Sequence, residues 1–153
     1  MQRAEALRDL SREHHEALVL ARRARSTATH MAGAEARTQC AHLLERWAVQ
    51  FEPHFVREEN TLLPALAQAG QTAPVALAQE QHATLRGLVE SLRSGDLQAL
   101  AAWGDAMDAH VRFEERTLFP LAQTVLDPTV LTDVMNRTAH NPPSSPNPER
   151  QRP

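Results

Sequence analysis

The stretch WAVQFEPHFVREENTLLP, residues 47–64, is written a second time as WGDAMDAHVRFEERTLFP, residues 103–120. The copies share a Trp, a His seven residues on, a Glu pair starting four residues past that His, then Thr-Leu and a Pro. The residues between them differ, so what is kept is the spacing. On an α-helix, residues four apart lie about 40° apart around the axis and one turn along. His54 and Glu58 therefore project together, as do His110 and Glu114. Glu59 and Glu115 sit about 140° from their histidines, which turns them outward or into a supporting position. Trp47 and Trp103 fall near the histidine face, so each His-Glu pair lies on the side that bulky apolar residues bury.

An ionised carboxylate buried without a partner costs several kcal/mol, a large share of a small domain's stability. Cations held between the two carboxylates resolve both costs, with imidazoles supplying neutral nitrogen donors. Two further segments offer those imidazoles. REHHEAL (residues 12–18) places His15 two residues after Glu13 and three before Leu18, and QEQHATL (residues 79–85) places His82 two after Glu80 and three before Leu85. The expected set is His15, His54, His82 and His110 with Glu58 and Glu114, arranged as two metals bridged by two carboxylates. His14 stays open as a further nitrogen ligand if the first helix is rotated. An N/O donor set of this kind suits iron first and manganese second. A structural zinc more usually recruits thiolates, and the lone Cys40 cannot supply them.

Around the repeat, the chain reads as helix. Its 153 residues fit one domain, with residues 1–138 forming the folded unit. Ala, Leu, Glu, Gln and Arg dominate, while aromatic residues are 4% with no Tyr, too few for an all-β core. Helices are expected over residues 3–29, 34–69, 74–92 and 96–126, with a short last one reaching 137. THMAG at 29–33, Gly70 and Ser94-Gly95 mark the breaks, Asp96 is placed to cap the fourth helix, and Pro53 and Pro64 should kink or loosen the second. Four amphipathic helices on short connections imply an all-α, antiparallel up-down four-helix bundle. The tail over 139–153, with NPPSSPNPERQRP from Asn141, is expected to be disordered.

A net charge of −3 gives no global field for nucleic acid or an anionic membrane. No apolar run approaches membrane-spanning length and the N-terminus is polar, so a cytoplasmic protein is expected. Cys40 falls near the His54 face and reads as a core residue. His42 is expected on a flank, His30 and His140 in solvent, and Arg22, Arg23 and Arg25 on a solvated face. Without Tyr there is no tyrosyl-radical chemistry, and no Glu-x-x-His pair of the ferritin-like kind occurs.

With its doubled HxxxEExxLxP element, the chain resembles the hemerythrin-like proteins of the HHE cation-binding family over roughly residues 7–123. The resemblance implies a four-helix bundle holding a non-haem di-iron centre, oxo- or hydroxo-bridged. It also implies Glu58 and Glu114 as bridging carboxylates with His15, His54, His82 and His110 as imidazole ligands. Family members bind oxygen, sense oxygen, iron or redox state, or answer nitric oxide and peroxide. The oxygen-carrier branch has a second His four residues from the one in the third helix, where this chain has Ala78 and Arg86. That branch also uses an Asp five residues past the last histidine, where this chain has Glu114 at four and Glu115 at five. The implied function is therefore binding, sensing or reduction of a small diatomic or peroxide oxidant by a monomer or dimer. The alternative is an iron or redox sensor whose metal occupancy controls folding and a protein partner.

Overall fold

The computed structural model describes residues 2–30 and 33–137, and among them there is no strand. A short 3₁₀ turn, Glu5–Leu7, leads into α1 (Arg8–His30). The second rod is built from α2 (Gly33–Arg46), a π-helical turn over Trp47–Phe51, α3 (Glu52–Asn60) and α4 (Leu62–Gln68). The third rod is α5 (Thr72–Arg93). The fourth is α6 (Ala99–Phe113), a π-helical turn over Glu114–Leu118 and α7 (Phe119–Val125), and α8 (Pro128–Asn136) closes one end. The expected tail lies outside the described residues.

Antiparallel order is visible in what each end of the bundle buries. One apolar cluster joins the C-terminal half of α1 (Ala17, Leu20, Ala21, Ala24) to Cys40, Leu43 and Trp47, to the end of α5 (Leu85, Val89, Leu92) and to the start of α6 (Leu100, Trp103). The other joins Leu7 and Leu10 to Leu62, Leu63 and Leu66, to the start of α5 (Val75, Ala78), to Leu118 and Phe119, and to Leu131, Val134 and Met135 of α8. Each rod therefore reverses its neighbour.

The rods turn on glycine where a left-handed residue is needed. Gly70 has φ +86° and Gly95 has φ +92°, a region that costs an L side chain strain. Around each, the chain closes with paired backbone bonds, Gly70 N–H to Ala67 and Gln71 N–H to Leu66, then Gly95 N–H to Leu92 and Asp96 N–H to Ser91. The Asp96 carboxylate accepts from Gln98 N–H at 3.1 Å, and that of Asp127 accepts from Thr129 N–H at 3.0 Å.

Proline explains the π turns. A proline lacks a donor and crowds the carbonyl four residues back. The residue before Pro53, Glu52, bonds five residues back to Trp47, and the residue before Pro120, Phe119, bonds five back to Glu114. The expected loosening at Pro53 thus takes the form of a widened turn. The second copy has Ala109 where the first has Pro53, and it stays α-helical there. At Pro64 the chain instead breaks at Thr61 (φ −126°, ψ −75°), whose hydroxyl bonds the Arg57 carbonyl at 2.6 Å.

Candidate metal centre

Between the two apolar clusters lies a layer of buried polar side chains. Glu58, His82, His110 and Glu114 are 0% exposed, and His14 and His54 are 4% exposed. His15, expected to be inward, is exposed on the outside of α1, and His14 takes the place in the layer. The cause is the register of α1. Along the first rod the buried series Leu7, Leu10, His14, Ala17, Ala21, Ala24, with Leu20 and Thr27 buried beside it, has the same spacing as Val75, Ala78, His82, Leu85, Val89, Leu92 of α5. His14 therefore matches His82. Matching Leu18 to Leu85 shifted the first helix by one residue, and Leu18 is only partly buried.

Each carboxylate reaches both halves of the layer. Glu58 Oε1 is 2.7 Å from His54 Nε2, and its Oε2 is 3.1 Å from His82 Nε2. Glu114 Oε2 is 3.8 Å from His14 Nε2, while its Oε1 contacts His110 Nε2 and lies 3.9 Å from His82 Nε2. Two groups of potential ligand atoms result, each within 4.8 Å: His14, His54, Glu58 and Glu114, and then Glu58, His82, His110 and Glu114. The carboxylates belong to both.

The imidazoles are aimed from behind. His54 Nδ1 donates to Glu13 at 2.5 Å, His82 Nδ1 to Glu59 at 2.9 Å, His110 Nδ1 to Gln81 Oε1 at 2.7 Å and His14 Nδ1 to Glu115 at 2.7 Å. An acceptor at Nδ1 fixes the tautomer and leaves the Nε2 lone pair pointing inward. Glu59 and Glu115 are thus supporting groups, as their angular offset allowed. Glu13 and Gln81, each one residue before its own helix's histidine, were not foreseen in that role; their identical offset in α1 and α5 is the signal that carried it. Phe119 stacks on His14 (centroids 5.4 Å, 7° between planes) and Phe55 on His82 (3.9 Å, 7°), so ring carbon shields two of the four imidazoles.

The inward atoms have nowhere else to turn. Nε2 of His14, His54, His82 and His110 and both oxygens of Glu58 and Glu114 are buried with no hydrogen-bond partner of good geometry. Buried polar atoms are normally satisfied, so eight orphans converging on one layer fit cations placed between them. Without cations, charge is balanced by protons. Burial works against an imidazolium at His54, but the Glu58 charge, the hydrogen bond that His54 donates to Glu13, the close Glu58 contact and the Glu114 charge overcome it and lift its pKa to about 10. At His82 burial is likewise overcome, by Glu114, Glu58 and Glu59, and the pKa rises to about 9. Burial pushes the Glu114 carboxyl up, yet His110 above all holds it well below the usual range.

Other residues stay out of the layer. The Cys40 thiol is buried, is raised in pKa by that burial, and points at the Leu92 carbonyl 3.8 Å away. His42, Arg22 and Arg23 are exposed, while Arg25 pairs with Asp105 and Asp108. His140 lies outside the described residues. No helix is long and apolar enough to cross a membrane among the described residues.

Comparison with curated proteins and with solved structures gave no significant match. The family model described as the hemerythrin HHE cation binding domain matches residues 5–122, which contain every member of the buried layer. On that match, and with a bundle whose buried His and Glu groups suit a metal site, the chain belongs to the hemerythrin HHE cation-binding family.

Proposed function

We propose that this chain is a cytoplasmic, single-domain non-haem di-iron protein that binds, senses or reduces a small oxidant: oxygen, nitric oxide or peroxide. One observation carries the reading. Glu58 and Glu114 each present one oxygen to one imidazole pair and the other oxygen to the second pair. A structural ion needs one closed shell, whereas this arrangement offers two positions sharing their carboxylates. His14, His54, His82 and His110 would hold the ions with Glu58 and Glu114, in an N/O set that favours iron over the hard cations and leaves manganese as the second choice. A pair of irons bound there supplies one-electron redox steps and a place for a small ligand.

The chain's own residues set the conditions for that chemistry. Glu58 and Glu114, both fully buried between the two apolar clusters, would neutralise cation charge there. Phe55 and Phe119 cover the imidazole faces, and Glu13, Glu59, Gln81 and Glu115 hold the rings so that binding costs little reorientation. Metal analysis and an optical spectrum of the purified protein test the reading. Two irons per chain with oxo-to-iron charge-transfer bands are expected; one ion per chain, or full iron content in a Glu58→Ala, Glu114→Ala variant, overturns it.

The layer's position favours a second reading, an iron or redox sensor. It contacts all four rods and separates the two apolar clusters, so metal occupancy and packing are coupled. A protein partner that recognises only one metallation state would then read the result.

A further inference from the structure

The four supporting acceptors form a closed ring around the bundle. Glu13 of α1 holds His54 on the second rod, Glu59 on that rod holds His82 of α5, Gln81 of α5 holds His110 of α6, and Glu115 beyond α6 holds His14 of α1. The pattern repeats by twofold exchange of the first rod with the third and the second with the fourth, except in one chemical detail. Glu59 and Glu115 are both carboxylates, but opposite Glu13 the chain has an amide, Gln81.

The exception falls on one half of the layer. His14 and His54 are both backed by carboxylates; His82 is backed by a carboxylate and His110 by an amide oxygen. A carboxylate behind Nδ1 draws the ring toward imidazolate character and makes Nε2 a stronger donor, which a neutral amide does far less. Arginines widen the difference. Arg86 grips both oxygens of Glu59 at 2.8 and 2.9 Å, drawing charge away from the acceptor of His82. On the other half Arg3 donates to only one oxygen of Glu115, at 2.8 Å, and among the described contacts Glu13 accepts from His54 alone.

We propose that Gln81 makes the two metal positions unequal, so that the half with His14 and His54 takes a divalent cation first and more tightly, and the half with His82 and His110 takes the second. The proposal rests on the two-cation reading of the layer, and the two can fail separately.

The test is a calorimetric titration of the full-length, metal-free protein with zinc, beside histidine ¹H–¹⁵N spectra recorded at each equivalent. Zinc has no redox chemistry and leaves the spectra sharp. The wild type should bind two zinc ions with affinities at least about 10-fold apart, the lower end of what a lost supporting acceptor costs. The first equivalent should move the His14 and His54 signals and the second those of His82 and His110. Gln81→Glu should strengthen the second step and bring the two within about 3-fold, and Glu13→Gln should weaken the first step without touching the second. Circular dichroism of each metal-free variant confirms that it folds. Two equal steps, filling of both halves together, or a Gln81→Glu variant that keeps the gap overturns the inequality and leaves the two-cation centre standing. Saturation at one zinc overturns the two-cation reading itself.

Discussion

Nδ1 of His14 lies 2.7 Å from Oε1 of Glu115, although 101 residues separate them. That bond ties the first rod of the bundle to the last and places His14, not its neighbour His15, in the buried layer. It also lowers the Glu115 pKa: burial alone would raise it, but the His14 hydrogen bond, Ser11, the His14 charge and Arg3 bring it to about 2. Glu115 is therefore an anion throughout the physiological range, and His14 is held with Nε2 directed at Glu114.

Two adjacent histidines then have opposite fates on substitution. His14→Ala removes an inward nitrogen and strands Glu115 and Glu114, so cation affinity should fall by about 100-fold or more at one position. His15 is exposed beside Arg8 and Arg12 in a surface groove, and His15→Ala should leave metal content within error of wild type. Metal analysis after dialysis against a weak chelator compares the two. Loss of metal from the His15 variant alone would reverse the placement of α1.

Most of the fold was legible because periodicity and punctuation agree. Gly70 and Gly95 mark their turns by residue type alone, whereas Asp96 bonds Gln98 N–H in the turn and α6 starts only at Ala99, without a side-chain cap. The Trp-to-Pro repeat fixed four of the six inward ligand candidates by a four-residue offset. The helix-one histidine was harder. Leu18 and Leu85 suggested one register, while the run Leu7, Leu10, His14, Ala17, Ala21, Ala24 carried the other, and small alanines are a weak hydrophobic signal beside a leucine. Which supporting group backs which histidine was beyond local reading for a different reason. These bonds span 23 to 101 residues, and no short-range spacing encodes which helix lies beside which.

Gly104 is a point where two rods touch too closely for a side chain. A Cβ built there would sit 2.6 Å from the Ala21 carbonyl oxygen and 2.8 Å from Arg25 Cγ. The arginine can swing away, but the carbonyl belongs to α1, which packs on α6 more extensively than any other pair of elements. Gly104→Ala should destabilise the protein by about 1–3 kcal/mol, with helix propensity recovering part of that cost. Chemical denaturation of metal-free and zinc-loaded protein measures it. A stability equal to or above wild type would mean that α1 and α6 do not approach this closely.

The metal-free protein should lose stability in alkali. His54 and His82 have folded-state pKa values of about 10 and about 9, above the ordinary value near 6.5. A group whose pKa is raised on folding contributes stability that is fully present below its unfolded pKa and disappears as pH climbs through the folded one. The melting temperature in chelator should therefore decline from about pH 6.5 and level off above pH 10. At the acid end the signs reverse: Glu59, Glu114 and Glu115 are depressed, so their contribution holds above about pH 4.5 and is lost below it. With cations on the Nε2 atoms there are no protons to lose, and the alkaline decline should vanish. A metal-free melting temperature that is flat or rising from pH 7 to 10 contradicts the charged-imidazole picture.

Removing the metal at constant pH tests how strongly occupancy governs packing. A ligand that binds only the folded state, present at 100 times its dissociation constant, stabilises by about 2.7 kcal/mol. In a domain of this size that corresponds to roughly 5–10 °C in melting temperature. Two ions at such a concentration should give at least that shift, because the eight orphaned atoms of the layer belong to four separate rods. The loss should also be uneven in space. Amide exchange should quicken first around Thr61 and the Glu114–Leu118 π turn, where the backbone leaves regular α-helix directly beside the carboxylates. A shift of only one or two degrees, with exchange unchanged at those turns, would leave a preformed site that does not steer the fold, and with it would go the reading of this protein as a metal-controlled folding switch.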